Sequence, residues 1–171
     1  MLTVLIILGV VLLLVFIILI IGFISACRDR NKTKLLQQSS DYDFKTKNGR
    51  FGFTYIIKGF PTEEGKELKV VLQAGIGFSD IISSTANAKE TGCCNIEIRA
   101  TDNRSGEVYV MEEEPPRDKN GLRPMSLTEA ILLPPEALDG QGAADAHIVI
   151  RTKWSLGGRQ VDEVLEFDYK K

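Results

Sequence analysis

The clearest indication of the fold lies near the carboxyl end of the chain. It reads Ala146-His-Ile-Val-Ile-Arg-Thr-Lys-Trp154, then Ser155-Leu-Gly-Gly-Arg159, then Gln160-Val-Asp-Glu-Val-Leu-Glu-Phe-Asp-Tyr169. Apolar and polar residues alternate in the first run, which is the period of a β-strand with one buried face. The Gly-Gly turn predicts a hairpin with the second run. The alternation slips at Val164-Leu165, and this slip predicts a β-bulge.

Further runs upstream show the same β pattern. The alternation in Cys94-Asn-Ile-Glu-Ile-Arg-Ala100 predicts that Cys94, Ile96, Ile98 and Ala100 share one face. The turn cluster Asp102–Gly106 predicts a hairpin between this strand and the next run. The other predicted strands are Phe51–Ile57, Leu68–Ala74 and Glu107–Met111.

The segment Pro124–Pro134 fits two structures. Ser126 and Glu129 have the spacing of a helix capping box, which favours a short helix. The alternation of Leu127, Glu129 and Ile131 against their neighbours favours a strand, and we prefer the strand. A strand that ends in Leu-Pro-Pro and precedes a crossing loop and a hairpin resembles the late strands of immunoglobulin-like sandwiches. The resemblance implies an architecture and carries no function.

The fold expected for residues 51–171 is therefore mainly β, an antiparallel β-sandwich of immunoglobulin-like type. The Cys…Trp…Cys core and the tyrosine corner of true immunoglobulin domains are not found with suitable spacing. The chain has 171 residues and three cysteines, which excludes a polytopic transporter, a large multidomain enzyme and a disulfide-dense mini-protein.

The amino end predicts a membrane helix. Residues 1–26 contain no charged side chain, and Leu2–Ile24 is an almost unbroken apolar run. About 20 such residues cross a hydrocarbon core, and a buried helix of a water-soluble domain would keep a polar face. We therefore assign residues 1–26 to a transmembrane α-helix that serves as a single-pass anchor.

A cleaved signal is the alternative to a retained anchor. Ile24-Ser-Ala-Cys27 resembles the lipobox of bacterial lipoproteins, which implies lipidation at Cys27 and export. Nothing basic precedes the apolar run, and the run is longer than a signal core, so we prefer the anchor. Cys27 at the membrane boundary also fits palmitoylation of a retained anchor.

The segment 27–50 is predicted to be a basic juxtamembrane linker. It carries a net charge of +4, whereas residues 51–171 carry −6. Basic residues beside a membrane span favour the cytoplasmic side and attract anionic lipid. The C-terminal domain is therefore expected in the cytoplasm, although the sequons at Asn31 and Asn103 would suit the opposite side. The membrane-proximal basic cluster consists of Arg28, Arg30, Lys32 and Lys34.

Residues with catalytic chemistry are few. The single histidine, His147, starts a predicted strand, and Cys93 and Cys94 form a vicinal pair of which one thiol is expected to be buried and the other exposed. Gly75-Ile-Gly77 lacks the third glycine of a dinucleotide loop. The charged segment Glu112–Gly121 and the weakly charged segment Ile76–Ala88 are expected to be loops, the latter also a candidate partner-binding edge.

The expected function is a non-enzymatic interaction or scaffolding domain on a single-pass membrane anchor. Its expected partners are the lipid bilayer and a protein. No catalytic residue, cofactor or metal site is predicted. No nucleic-acid partner is predicted either, because the domain is acidic and its aromatics are not interleaved with basic residues. Two alternatives are an envelope lipoprotein modified at Cys27 and a membrane-tethered enzyme that uses His147 or the paired thiols.

Overall fold

The computed structural model describes residues 39–171, and Ser40–Lys171 form one compact unit. The predicted transmembrane helix, the basic cluster Arg28–Lys34 and Cys27 lie outside the described residues. Within residues 39–171 no helix is long and apolar enough to span a membrane. The elements in chain order are β1 Tyr42–Asn48, β2 Phe51–Thr62, β3 Gly65–Gly75, α1 Phe78–Ala86, β4 Gly92–Asp102, β5 Val108–Glu113, β6 Ser126–Leu133, β7 Asp145–Leu156 and β8 Arg159–Lys170, with short 3-10 turns at Ala88–Glu90 and Pro135–Ala137.

The strands form two antiparallel four-stranded sheets. Sheet A has the order β1-β2-β3-β6, and sheet B has the order β5-β4-β7-β8. The chain crosses between the sheets after β3, after β5 and again after β6. The predicted mainly-β fold is confirmed, and the arrangement is that of a β-sandwich.

The core lies between the sheets because each strand turns its alternate apolar residues inward. Phe53 of sheet A and Trp154 of sheet B meet there, with ring centroids 5.6 Å apart. The indole Nε1 of Trp154 donates a hydrogen bond of 2.8 Å to the hydroxyl of Thr152, so its only polar atom is satisfied. The other large side chains that are fully buried include Tyr55, Ile57, Leu68, Leu72, Ile96, Ile98, Leu133, Ile148 and Tyr169.

The C-terminal hairpin is confirmed as β7 and β8, but the predicted bulge at Val164-Leu165 is wrong. The two strands pair without a register shift from end to end. The apparent slip arises because a charged residue faces inward: Glu163 is 7% exposed, whereas Val164 is 48% exposed. Glu163 is stabilised there because Thr46 Oγ1 donates a 2.6 Å hydrogen bond to its carboxylate. The turn residues Gly157 and Gly158 have φ of 56° and 74°, which glycine adopts readily.

The register irregularity lies in β4 instead. The pairing of β4 with β7 shifts between Cys93 and Asn95, so the inward face starts with Cys93. The prediction that Cys94 shares a face with Ile96 is therefore wrong. Cys93 is buried, as expected for one thiol of the pair, but Cys94 is half-buried and not exposed. The bulge changes the phase that simple alternation would give.

Two further elements differ from expectation, and one ambiguity is resolved. Residues 126–133 form a strand, as preferred. Strand β1 occupies residues 42–48, inside the range predicted as linker, because Tyr42 and Phe44 stack and pack against Phe167 of β8. The segment 76–88, expected to be a loop, contains α1, whose Asp80 is 2% exposed and pairs with Arg50 at 2.5 Å.

Candidate functional site

The sandwich presents two broad outer surfaces, which we call face A and face B. Each consists of the side chains that alternate with the core residues along the strands of one sheet. Face A comprises Asp43, Lys45, Lys47, Thr54, Ile56, Lys58, Phe60, Glu67, Lys69, Val71, Gln73, Thr128, Ala130 and Leu132. Its central cross-strand pair, Ile56 and Val71, is buried although it points away from the core, at 2% and 9% exposure. Face B comprises Asn95, Glu97, Arg99, Thr101, Val108, Val110, Glu112, Asp145, His147, Val149, Arg151, Lys153, Gln160, Asp162, Val164, Glu166, Asp168 and Lys170.

Opposite charges alternate on face B and pair with one another. The carboxylate of Glu97 lies 3.0 Å from Arg99 and 3.8 Å from Arg151. Lys170 lies 3.8 Å from Asp145, and His147 Nδ1 lies within hydrogen-bond distance of Asp168, at 3.0 Å. Each of these pairs is at least partly exposed and contributes little to stability.

Face B also exposes valine side chains. Val108 and Val110 are 49% and 53% exposed, and both lie on β5, the edge strand of sheet B. Val164, on the opposite edge strand β8, is 48% exposed. Exposed apolar side chains that lie near ion pairs are typical of surfaces that another protein covers.

Face A has a different arrangement of charge. Lys45, Lys47, Lys58 and Lys69 face outward from three adjacent strands, β1, β2 and β3. Among the described residues, no carboxylate lies within ion-pair distance of any of these four ammonium groups. Lys58 and Lys69 are direct cross-strand partners. Their ammonium groups lie 5.4 Å and 5.5 Å from the ring centroid of Phe60.

A polar cluster around Asp41 joins the edges of the two sheets. Its carboxylate accepts hydrogen bonds from the Gly59 backbone N–H and the Tyr169 hydroxyl, both at 2.8 Å. Lys171 Nζ lies 3.1 Å from the same carboxylate. Partial burial raises the pKa of Asp41, but these three donors outweigh it and hold the pKa below its usual value. The cluster ties the start of β1 to the end of β8.

The residues that the sequence marked for chemistry do not assemble into one place. Burial raises the pKa of the Cys93 thiol to about 12, so this thiol is protonated at neutral pH. Cys93 faces the core, whereas His147 lies on face B. Among the described residues, no group of three or more His, Cys, Asp or Glu side chains is placed to hold a metal ion.

The remaining sequence candidates are structural. Gly75 ends β3, and Gly77 precedes α1. In the charged loop, Arg117 donates to the Gly121 carbonyl at 3.0 Å and pairs with Glu90 at 3.1 Å, so the loop is fastened to the turn after α1.

The lysine pair on face A escaped the sequence analysis because its members are 11 positions apart in the chain. A signal for it exists. A hairpin that turns at Glu63-Glu64 pairs Thr62 with Gly65. Four positions further from the turn on each strand, Lys58 pairs with Lys69.

No protein-family model matches this chain, no curated protein matches it, and no solved structure matches it. The charges and exposed apolar side chains of the two faces are therefore the basis for a function.

Proposed function

We propose that this chain is a single-pass membrane-anchored protein whose β-sandwich is a non-enzymatic interaction module that presents face B to a protein partner. The observation that carries the proposal is the exposed pair Val108 and Val110 on the edge strand of a sheet whose outer face also carries ion pairs. Exposed apolar groups among paired polar side chains suit a protein surface of similar composition.

The strand order supports an immunoglobulin-like class for the module. Strands distant in sequence are neighbours in each sheet: β3 pairs with β6, and β4 pairs with β7. Such pairing arises when successive connections cross from one sheet to the other, as the Greek-key connections of immunoglobulin-like sandwiches do. The class describes architecture, and the function proposed rests on face B.

The uncharged run 1–26 and the basic cluster after it support the anchor and the cytoplasmic placement of the module. The environment of Cys93 supports the non-enzymatic part. A catalytic thiol needs a lowered pKa and access, whereas the pKa of Cys93 is raised to about 12 by burial in the core. The Cys93 sulfhydryl instead donates to the Asn95 carbonyl at 3.4 Å, as a core cysteine does.

Photocrosslinking from face B tests the proposal. A benzophenone amino acid replaces Val110 in the full chain, which is expressed in its own membranes and irradiated. We expect a light-dependent protein adduct of discrete mass, which Val108→Asp removes. The matched control carries the same group at Ile81, which is 44% exposed on α1 and belongs to neither face. No adduct from position 110, or the same adduct from position 81, would contradict a partner bound through face B.

A further inference from the structure

The two long edges of the sandwich, where the outer strands of sheet A and sheet B face each other, are built differently. Strands β1 and β8 form one edge, and strands β5 and β6 form the other. At the first edge, Tyr42 and Phe44 pack against Phe167, and Thr46 donates a hydrogen bond to Glu163. The edge between β1 and β8 is therefore filled by contacts within the domain.

Strand β5, at the other edge, has an open side. Among residues 39–171, β5 pairs with β4 alone. The Asp102 amide donates to the Glu107 carbonyl at 2.9 Å, and bonded and non-bonded pairs alternate along an antiparallel ladder. The register therefore turns the backbone N–H and C=O groups of Val108, Val110 and Glu112 away from β4. These groups are donors and acceptors with which a further strand can pair.

The sequence of β5 favours such pairing. The strand reads Val-Tyr-Val-Met-Glu-Glu, and it contains neither lysine nor proline. Its register with β4 has no bulge. Lysine, proline and bulges are devices by which edge strands avoid pairing with other chains. Val108 and Val110 are 49% and 53% exposed, so the strand is accessible to an incoming segment.

Two carboxylates, which we call the edge carboxylates, flank this opening. Glu113 of β5 pairs with Ile96, and Glu129 of β6 pairs with Val70. Because Ile96 and Val70 are buried in the core, both carboxylates turn toward the space between the sheets. Among the described residues, neither carboxylate lies within ion-pair distance of a cationic group. Partial burial raises the pKa of Glu129, and the charge of Glu113 raises it further.

We propose that the protein partner of face B binds by strand addition: an extended segment pairs antiparallel with the open side of β5, sets apolar side chains beside Val108 and Val110, and places a lysine or arginine between the edge carboxylates. This inference rests on the proposed function and names the chemistry of its partner. All strand pairs of the domain are antiparallel, which is also the more stable pairing per residue. Counted from the residue opposite Glu113, the partner segment has the pattern basic-x-x-apolar-x-apolar.

The same charges argue against a second copy of β5 as the added strand. Antiparallel pairing of two β5 strands about Val110 would bring Glu107 of one copy opposite Glu113 of the other. Like charges across from each other destabilise a sheet. The edge carboxylates therefore disfavour self-association and favour a basic segment. The net charge of −6 on residues 51–171 attracts such a segment at longer range.

Peptide binding to the full chain in neutral detergent tests the inference. The probe is a fluorescein-labelled peptide that contains Lys-Thr-Val-Val-Thr-Val, and fluorescence anisotropy measures its Kd. With the probe lysine opposite Glu113, the fourth probe residue lies opposite Val110 and turns its N–H toward β5, whereas the third turns its N–H away. An N-methyl group on the fourth residue therefore blocks strand pairing, and the same group on the third residue is the matched control.

We expect the unmodified probe to bind, and N-methylation of its fourth residue to raise the Kd by about ten-fold through the lost hydrogen bond. N-methylation of the third residue should change the Kd by less than about two-fold, since that N–H makes no bond to β5. No binding below about 1 mM, or equal Kd values for the two methylated probes, would overturn strand addition.

A charge exchange tests the edge carboxylates. A probe with glutamate in place of its lysine should bind about ten-fold more weakly, because it brings a third negative charge to this edge. Glu113→Lys should remove the preference for the lysine probe. Glu166→Lys makes the same change on β8, the opposite edge strand of sheet B, and should retain the preference. A preference that survives Glu113→Lys would overturn the assignment of the basic residue to this position.

The photoadduct from position 110 separates this inference from the proposed function. In opened membranes, the unmodified probe at about ten times its Kd should suppress the adduct, and the probe methylated at its fourth residue should not. An adduct that persists under the saturating probe keeps the proposed function and overturns strand addition, because the partner then contacts face B without occupying the open side of β5. The absence of any adduct from position 110 overturns both.

Discussion

Face A and face B are built on the same architecture, four antiparallel strands over a shared core, yet they carry charge in opposite ways. On face B, Glu97 lies directly across from Arg151 in the register of β4 and β7. On face A, Lys58 lies directly across from Lys69 in the register of β2 and β3. The residues that face each other across the strands therefore have opposite charge at this position of face B and like charge at this position of face A. The difference shows that charge pairing, not the strand pattern, distinguishes the two surfaces.

Both faces are expected to belong to one cooperatively folded domain, because the two sheets share a core. Trp154→Ala tests this, because Trp154 is fully buried and contacts Phe53 across the sandwich. We expect the free energy of unfolding to fall by about 3–5 kcal/mol, the usual cost of a large cavity in a core. Urea unfolding followed by far-UV circular dichroism measures the change. Val164→Ala on face B, expected within about 0.5 kcal/mol of the parent, is the control. A loss under about 1 kcal/mol for Trp154→Ala would mean that the sheets do not depend on this contact.

The next largest change in the free energy of unfolding is expected from Asp41, which links the edges of the two sheets. Asp41→Asn weakens the acceptor of the Gly59 amide and the Tyr169 hydroxyl, and we expect the free energy of unfolding at neutral pH to fall by about 1–2 kcal/mol. The pKa of Asp41 is lowered in the folded state, so its contribution is present above the unfolded value of about 4 and is lost as the pH falls through the folded value.

The parent should therefore lose stability more steeply than Asp41→Asn as the pH falls below about 4. Urea unfolding at a series of pH values measures both slopes, and Glu166→Gln, an exposed change on face B, is the control at neutral pH. Parallel pH profiles for the parent and Asp41→Asn would show that the carboxylate does not hold the edges together in its charged form.

The smallest expected effect on the free energy of unfolding should have opposite signs on the two faces. Lys69→Glu places an opposite charge across from Lys58, and we expect a gain of about 0.2–1 kcal/mol in the free energy of unfolding. Arg151→Glu places a like charge across from Glu97, and we expect a loss of similar size. Urea midpoints in neutral detergent at low salt measure both changes, and added salt should shrink them. The same sign on both faces would remove the distinction between them.

Much of the sandwich is predictable from local pattern. Alternation in residues 146–154 predicts the inward row of Ile148, Ile150, Thr152 and Trp154, and all four are buried. Turn residues predict the hairpins around Asp102–Gly106 and Gly157-Gly158. These predictions succeed because the period of a half-buried strand and the torsion angles of a tight turn are local properties of the chain.

The predictions that fail depend on partners far away in sequence. Glu163 faces inward because Thr46, 117 residues earlier, donates a hydrogen bond to it. β1 belongs to the sandwich because Tyr42 and Phe44 meet Phe167 at the other end of the domain. The inward position of Cys93 follows from a register shift against β7. None of these contacts leaves a periodic trace in the local sequence.

The strand-rich domain, its turns, the excess of acid over base and the uncharged run at residues 1–26 can all be read from the amino-acid sequence. Which charges meet depends on the tertiary structure. Pairing across a sheet depends on register and strand order, which place Lys58 beside Lys69 and Glu97 beside Arg151. The Coulomb energy between two charges falls with their separation, so the charges that lie closest in space matter most. Which charges lie closest is set when the strands assemble.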